Sequence, residues 1–348
     1  MDGPKISNAG QNLKITGSKQ DDWVRIFKDN QDGKLKVETG VVTGYQNDGS
    51  PILKDLQVRE LNPNEIKSLE VDFDSANATD ASYGDTFLID ENVDLRNYNL
   101  LINGGDGSDL IAVRSGSNLG NTEINSKGGD DVVQFGESIT AKSLATNLGK
   151  GDDFFQVFNR YQDAEYRKGN PHFINDKVNK EKAPVSGLKV DNSFSVKGED
   201  GDDQILIGSY ADAKGKMNIS GGKGEDKITV MDQVGKSADE FVIDGGEGND
   251  WNWIGERKGI KAVTVDNRKG NDGISIDQTN DIQLTDTNSI HQFDLLSAKF
   301  INGTLSPEEK RLFEFLQSNP EIQKIIKSRD RREVQESGYL HVRSAKKK

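Results

Sequence analysis

Short stretches of alternating apolar and polar residues recur along most of this chain, and a glycine-rich segment separates them. After Asp226, Ile228 and Val230 alternate with polar residues, which is the period-two pattern of a strand with one buried face. A turn over 235–239 and a second apolar stretch at 241–243 follow before the next glycines. Each repeat therefore predicts a short strand, a turn, a second strand and a glycine-rich corner.

The corner has the form Gly-Gly-x-Gly-x-Asp, and its aspartate returns at a nearly constant spacing. The anchors are Asp109, Asp131, Asp153, Asp203, Asp226, Asp250 and Asp272, with Asp85 as a weaker copy. Successive anchors from Asp85 onward lie 24, 22, 22, 50, 23, 24 and 22 residues apart. The long gap is two periods plus an insertion. A fixed period in this range predicts units that stack because none can bury its apolar face alone.

Stacking would bring equivalent positions of successive repeats into columns. The second residue after each anchor is apolar in most copies and predicts an inward column of Ile111, Val133, Phe155, Ile205, Ile228 and Ile274. We expect successive repeats to pair as parallel strands. The predicted fold class is therefore all-β, a right-handed parallel β-helix or β-roll-like solenoid with a short C-terminal α-helical cap.

Three regions follow from the pattern. Residues 1–80 are less regular. They contain one degenerate repeat, which places Val24 and Ile26 inward, and a hairpin insertion at 27–64 that is marked by turn residues. Residues 81–290 form the repeated solenoid, and its long gap holds an insertion at 159–190. Residues 291–348 predict a helical cap, because Ser306 and the proline and glutamates after it form a helix start, followed by a basic tail.

Composition narrows the partners. The formal net charge is −13 and the chain has no cysteine. An acidic surface repels nucleic acid and anionic membrane and attracts cations. No stretch approaches the roughly 20 apolar residues of a membrane helix, and the first residues lack a charged and then apolar leader pattern. We therefore expect no nucleic-acid partner and no membrane span.

The aspartate column is the main chemical signal. Stacked carboxylates about 4.8 Å apart repel one another, so something must offset the repulsion. Glycine corners allow main-chain carbonyls and carboxylates to converge, and oxygen ligands without histidine or cysteine favour Ca²⁺. The alternative is an aspartate ladder held by main-chain amide donors without a metal.

The corner motifs resemble the hemolysin-type (RTX) calcium-binding repeat, Gly-Gly-x-Gly-x-Asp-x-apolar-x. Residues 104–112 and 221–229 match it fully, and 245–253 matches except at Asn252. In that family the motifs form a parallel β-roll that binds Ca²⁺ between stacked turns. Family motifs follow every nine residues, whereas here one motif occurs in 22 to 24 residues, which implies at most one metal-binding edge.

The resemblance and the column together nominate calcium ligands. They are Gly104, Asp106, Asp109, Asp131, Asp153, Asp203, Gly222, Asp226, Gly246, Asp250 and Asp272. The two most complete adjacent motifs place the first expected site between Asp226 and Asp250.

The leading functional hypothesis is a secreted, non-enzymatic calcium-binding protein with an adhesive, matrix or effector role, exported without a cleaved Sec signal peptide. One alternative is a polysaccharide lyase or epimerase, for which Arg160, Lys168 and His172 are the candidate groups. Another is a host-directed effector exported through a needle-type system. Trp251 and Trp253 lie in the outward phase, either free to bind carbohydrate or a protein partner or covered by the C-terminal helices. No catalytic set is visible.

Overall fold

The computed structural model describes residues 3–47, 50–73, 84–158, 187–255, 263–266, 272–276, 282–284, 310 and 340–342. These residues form an all-β structure of two large sheets, which we name sheet A and sheet B. No described helix is long and apolar enough to cross a membrane.

Sheet A holds 14 described strands, which carry the longer segment of each repeat. Its main order is β1 (Lys5–Ala9), β2 (Asn12–Thr16), β6 (Ser68–Asp72), β9 (Asn99–Gly105), β11 (Asn118–Lys127), β13 (Thr140–Lys150), β16 (Phe194–Asp200), β19 (Lys216–Lys223), β21 (Glu240–Glu247), β23 (Val263–Asp266) and β25 (Ile282–Leu284). Three short strands pair beside this path: β8 (Asp94–Leu95), β15 (Lys189–Val190) and β18 (Asp212–Ala213).

Sheet B holds 12 described strands, most of them four residues long. Its order is β26 (Leu340–Val342), β24 (Gly273–Ile276), β22 (Trp251–Ile254), β20 (Lys227–Val230), β17 (Gln204–Ile207), β14 (Phe154–Val157), β12 (Val132–Phe135), β10 (Leu110–Val113), β7 (Thr86–Ile89), β3 (Asp22–Lys28), β4 (Leu35–Tyr45) and β5 (Pro51–Glu60).

The chain alternates between the two sheets, and beyond its N-terminal end the equivalent strands of successive repeats pair in parallel. Ile205 of β17 is registered with Ile228 of β20 in sheet B, and Phe194 of β16 with Met217 of β19 in sheet A. The predicted parallel pairing of successive repeats is thus confirmed, and the topology is compatible with stacked repeats.

The core lies between the inward faces of the two sheets. The predicted inward residues Ile111, Val133, Phe155, Ile205 and Ile228 are each at most 1% exposed, while the side chain of Ile274 lies outside the described residues. Phe155 lies 5.7 Å from Phe135 and 6.3 Å from Phe194 between ring centroids. Alternation within each strand therefore decides which side chains form the core.

The N-terminal end is antiparallel. β3 pairs with β4 and β4 with β5, both antiparallel, within the segment expected to form the 27–64 hairpin insertion. The insertion continues sheet B as its last two strands, because β4 pairs with β3 and β5 pairs with β4. The inward placement of Val24 and Ile26 in the degenerate N-terminal repeat is confirmed, since both side chains are fully buried.

Two boundaries differ from the sequence-based expectation. The strand β15 lies inside the predicted insertion 159–190 and pairs with β13 and β18, so the repeat resumes before residue 190. Most of the predicted helical cap lies outside the described residues, in which Lys310 alone is helical. The strand β26 falls in the predicted basic tail and pairs in parallel with β24.

Candidate metal site at the aspartate column

The anchor aspartates form one continuous hydrogen-bonded ladder. The main-chain N–H of each aspartate donates to Oδ1 of the aspartate in the next repeat, over 2.6 to 3.1 Å. We call this set the buried aspartate column: Asp22, Asp85, Asp109, Asp131, Asp153, Asp203, Asp226, Asp250 and Asp272. Even the pair separated by 50 residues, Asp153 and Asp203, is joined at 2.9 Å. The expectation of two periods in this gap is therefore wrong: β14 pairs directly with β17, so the gap holds one repeat plus an insertion.

Local sequence explains why the column forms. Each aspartate from Asp109 to Asp272 immediately precedes a sheet B strand, so its main chain is already in register with its neighbours. Two residues earlier a glycine turns the chain, with φ of 146° at Gly201, 142° at Gly224 and 147° at Gly248. A Cβ at Gly224 would overlap the carbonyl oxygen of Gly201. The corner therefore needs glycine both for its backbone angle and for the close approach of the repeats.

The second carboxylate oxygen has a different environment. Oδ2 is buried and has no hydrogen-bond partner among the described residues in six column members: Asp109, Asp131, Asp153, Asp203, Asp226 and Asp250. Most buried polar atoms in proteins have a partner, so each of these oxygens carries a desolvation cost when its carboxyl group is charged.

Glycines five residues before the anchor make room for these oxygens. A Cβ at Gly198 or Gly221 would overlap Oδ2 of the aspartate in its own repeat and the main-chain carbonyl oxygen of the next repeat. Gly104 is placed in the same way. Ser126 and Leu148 occupy this position in two other repeats, so the full arrangement belongs to the glycine-bearing repeats. There a carboxylate oxygen and a carbonyl oxygen face the same small space.

Burial raises the pKa of every column aspartate for which a shift is resolved. Desolvation is the main cause throughout, and in most members neighbouring carboxylates also raise the pKa. A main-chain N–H donor lowers it, from the preceding column member or, at Asp22, from Ser18. The pKa is raised to about 9 at Asp85 and Asp131, about 7 at Asp109, Asp153, Asp226 and Asp250, and about 6 at Asp22 and Asp203. The column therefore favours a proton or another cation at its oxygens.

A second, exposed acidic column runs beside the first, one residue earlier in each repeat. It consists of Ser108, Asp130, Asp152, Asp202, Glu225 and Asn249. Here the bonds run in the opposite direction: the N–H of Asp152 donates to Oδ1 of Asp130 and that of Asp202 to Oδ1 of Asp152, both at 2.9 Å. Sequence reasoning missed this column, although an acid recurs directly before several anchors.

The other predicted ligands have different surroundings. Asp106 is exposed on the corner. Gly222 and Gly246 have φ of 124° and 109°, and a Cβ on either would overlap a main-chain carbonyl of the preceding repeat. These two glycines therefore serve close packing of repeats. Asp22 joins the column although its repeat lacks the full glycine motif. Its signals in the sequence are the alternation that follows it and Gly17, five residues before it, where a Cβ would lie 2.9 Å from Oδ2 of Asp22.

The donor chemistry fits calcium in part. The buried Oδ2 atoms and nearby carbonyls are oxygen donors of the kind that Ca²⁺ prefers. No three or more acidic, histidine or cysteine side chains of the described residues are grouped so as to hold a metal ion. One carboxylate oxygen per repeat is open, so main-chain carbonyls and water would have to complete the ligand set. Oδ1 is engaged by an amide, as the metal-free alternative requires.

The sequence also nominated two further sets of functional residues. Arg160, Lys168 and His172, the groups nominated for a lyase, lie outside the described residues. Trp251 and Trp253 are both half-buried in β22, and Asn252 between them is fully buried.

The chain matches no family model, and no curated protein or solved structure is detectably similar to it.

Proposed function

We propose that this protein is a secreted, non-enzymatic calcium-binding β-solenoid of the RTX kind, with an adhesive, matrix or effector role. The observation that carries the proposal is the line of six buried Oδ2 atoms without a hydrogen-bond partner. A continuous column of carboxyl groups in a low-dielectric interior is unfavourable when charged and uncompensated. The resemblance of the corner motifs to RTX repeats selects calcium among the cations.

Calcium would act at the glycine-bearing corners. Asp203, Asp226 and Asp250 supply the open Oδ2 atoms. The carbonyl of Gly221 faces the same space as Oδ2 of Asp203, and that of Gly245 the same space as Oδ2 of Asp226. Bound there, the ion would supply the positive charge that lets stacked carboxylates stay ionised. The residues themselves contribute the rest: Oδ1 accepts the amide of the preceding repeat and keeps the column in register.

This arrangement would link folding to external calcium. A ligand that binds only the folded chain stabilises it in proportion to its concentration above the dissociation constant, and metal sites formed on folding couple the two processes. The chain would remain loosely folded at the low calcium of a cytosol and become rigid outside the cell. A right-handed solenoid so stabilised suits a passive surface better than a catalyst, and no catalytic set is visible in the sequence.

The test compares unfolding temperature and calorimetric binding with millimolar CaCl₂, with MgCl₂ and with chelator, at pH 8. The Asp226→Asn/Asp250→Asn double variant removes two open carboxylates but keeps the Oδ1 acceptors. Asp94→Asn is the control, because Asp94 is an exposed acid paired with Arg96 in sheet A. We expect calcium alone to raise the unfolding temperature of the wild type and the control, with a smaller rise in the double variant. Equal unfolding temperatures in calcium and chelator would refute the proposal.

A further inference from the structure

The last strand of sheet B has an open edge. β5 pairs with β4 on one side, and no described strand pairs with it on the other. Leu56 and Val58 in its middle are 54% and 52% exposed. An edge that combines unpaired main-chain groups with exposed apolar side chains is a template for pairing with another chain.

The edge has a regular part and a bulge. The pairing of β5 with β4 shifts between Thr39 and Val41, and Asp55, opposite this shift, has φ of 53°. From residue 57 to residue 60 the pairing with β4 is continuous. On the other face the Gln57 side chain is held within its own chain, since its Nε2 donates to the carbonyl oxygen of Pro4 at 2.9 Å.

The sequence of β5 is complementary to itself when reversed. The two neighbours of Gln57, Leu56 and Val58, are both apolar. The residues beyond them, Asp55 and Arg59, carry opposite charges. An antiparallel pair of identical strands centred on Gln57 would thus place Leu56 opposite Val58 and Asp55 opposite Arg59, twice over. Such cross-strand apolar and opposite-charge pairs stabilise a sheet.

We propose that two copies of this protein associate through β5, antiparallel and centred on Gln57, so that sheet B continues from one copy into the other. The four apolar side chains, Leu56 and Val58 from each copy, would cover one another on one face. Asp55 and Arg59 make no ion pair with any described residue of their own chain, so both are free to pair across the twofold axis. Glu60, the next charged residue of β5, is by contrast already paired with Lys34 of its own chain at 2.6 Å.

The association does not depend on the aspartate column or on calcium. Main-chain hydrogen bonds along the edge would give most of the affinity, and the charge pairs would set the register. A twofold axis perpendicular to the sheet relates identical edges, which is the closed, isologous contact typical of homodimers.

A charge-exchange experiment tests this pairing. Asp55→Arg alone would place two arginines opposite each other at both ends, and Arg59→Asp alone two aspartates. An equimolar mixture of the two variants restores an opposite pair at both ends. Mass in solution is measured by light scattering after size exclusion, with circular dichroism to verify that each variant is folded.

We expect a dimer for the wild type, a twofold lower mass for each folded variant, and recovery of the dimer mass in the mixture. A wild type that is monomeric over the tested concentrations would overturn the proposal, and so would single variants that remain dimeric. Failure of the mixture to recover the dimer mass would also overturn it. The calcium experiment above can fail or succeed without changing any of these outcomes.

Discussion

The main-chain amide of Asp203 donates a 2.8 Å hydrogen bond to Oδ1 of Asp226, whereas Oδ2 of the same carboxyl group is buried without a partner. One side chain therefore has two roles. Its first oxygen ties adjacent repeats together in the corner. Its second oxygen carries an electrostatic cost that a proton or a cation can remove.

The ladder bond and the open oxygen can be separated by substitution at Asp226. Asp226→Asn keeps an Oδ1 acceptor and turns the open oxygen into a donor beside the carbonyl of Gly245. Asp226→Ala removes the acceptor and leaves the amide of Asp203 buried and unpaired. We expect the alanine variant to be less stable than the asparagine variant by about 1–3 kcal/mol, measured by urea unfolding in chelator. Equal stability of the two would show that the ladder bond contributes little.

Stability without metal should fall as pH rises. The column aspartates have folded pKa values raised to about 6, 7 or 9, so the folded state binds more protons than the unfolded state above the ordinary aspartate pKa. The stabilisation they give is complete below that value and is lost as pH rises through 6 to 9. The sign is opposite at Asp29 and Glu70, where lysine partners lower the pKa.

We therefore expect the unfolding temperature in chelator to be highest near pH 5 and to decline toward pH 9. Thermal scans in buffers of equal ionic strength measure it. If calcium occupies the column, the decline should shrink in its presence. A metal-free protein that becomes more stable between pH 5 and pH 9 would contradict the burial of unpartnered carboxyl groups.

Corner glycines should differ in their tolerance of a methyl group. Gly224 has φ of 142°, and a Cβ there would overlap the carbonyl of Gly201. Gly128 lies in an equivalent corner, but its Cβ would meet nothing closer than 3.6 Å. Gly224→Ala should destabilise by several kcal/mol or prevent folding, whereas Gly128→Ala should change stability by less than about 1 kcal/mol. Similar losses in both would argue against close contact between repeats at Gly224.

Adjacent phenylalanines offer a matched test of the core. Phe155 is fully buried between Phe135 and Phe194, while Phe154 points the other way and is half-buried. We expect Phe155→Ala to cost about 3–5 kcal/mol and Phe154→Ala clearly less. Denaturant unfolding of both variants measures the difference. A larger loss of unfolding free energy from Phe154→Ala than from Phe155→Ala would contradict the assignment of the Phe155 face of sheet B to the core.

The sequence alone determined the repeat, its strands and its inward face. Alternation of apolar residues is a local property, so the buried positions of Ile111, Val133 and Ile228 follow from it directly. The same holds for the two N-terminal hairpins, whose turns lie next to their strands. The anchor aspartates were also visible, because a glycine-bounded corner returns at a fixed interval.

Only the tertiary structure decided what those aspartates contact. Which oxygen accepts the amide of the neighbouring repeat, and which remains open, depends on register between segments that are 22 to 63 residues apart. The membership of Asp22 in the column and the open edge at β5 depend on the same long-range pairing. The sequence of a strand does not by itself specify which strand it pairs with, because every strand offers the same main-chain donors and acceptors.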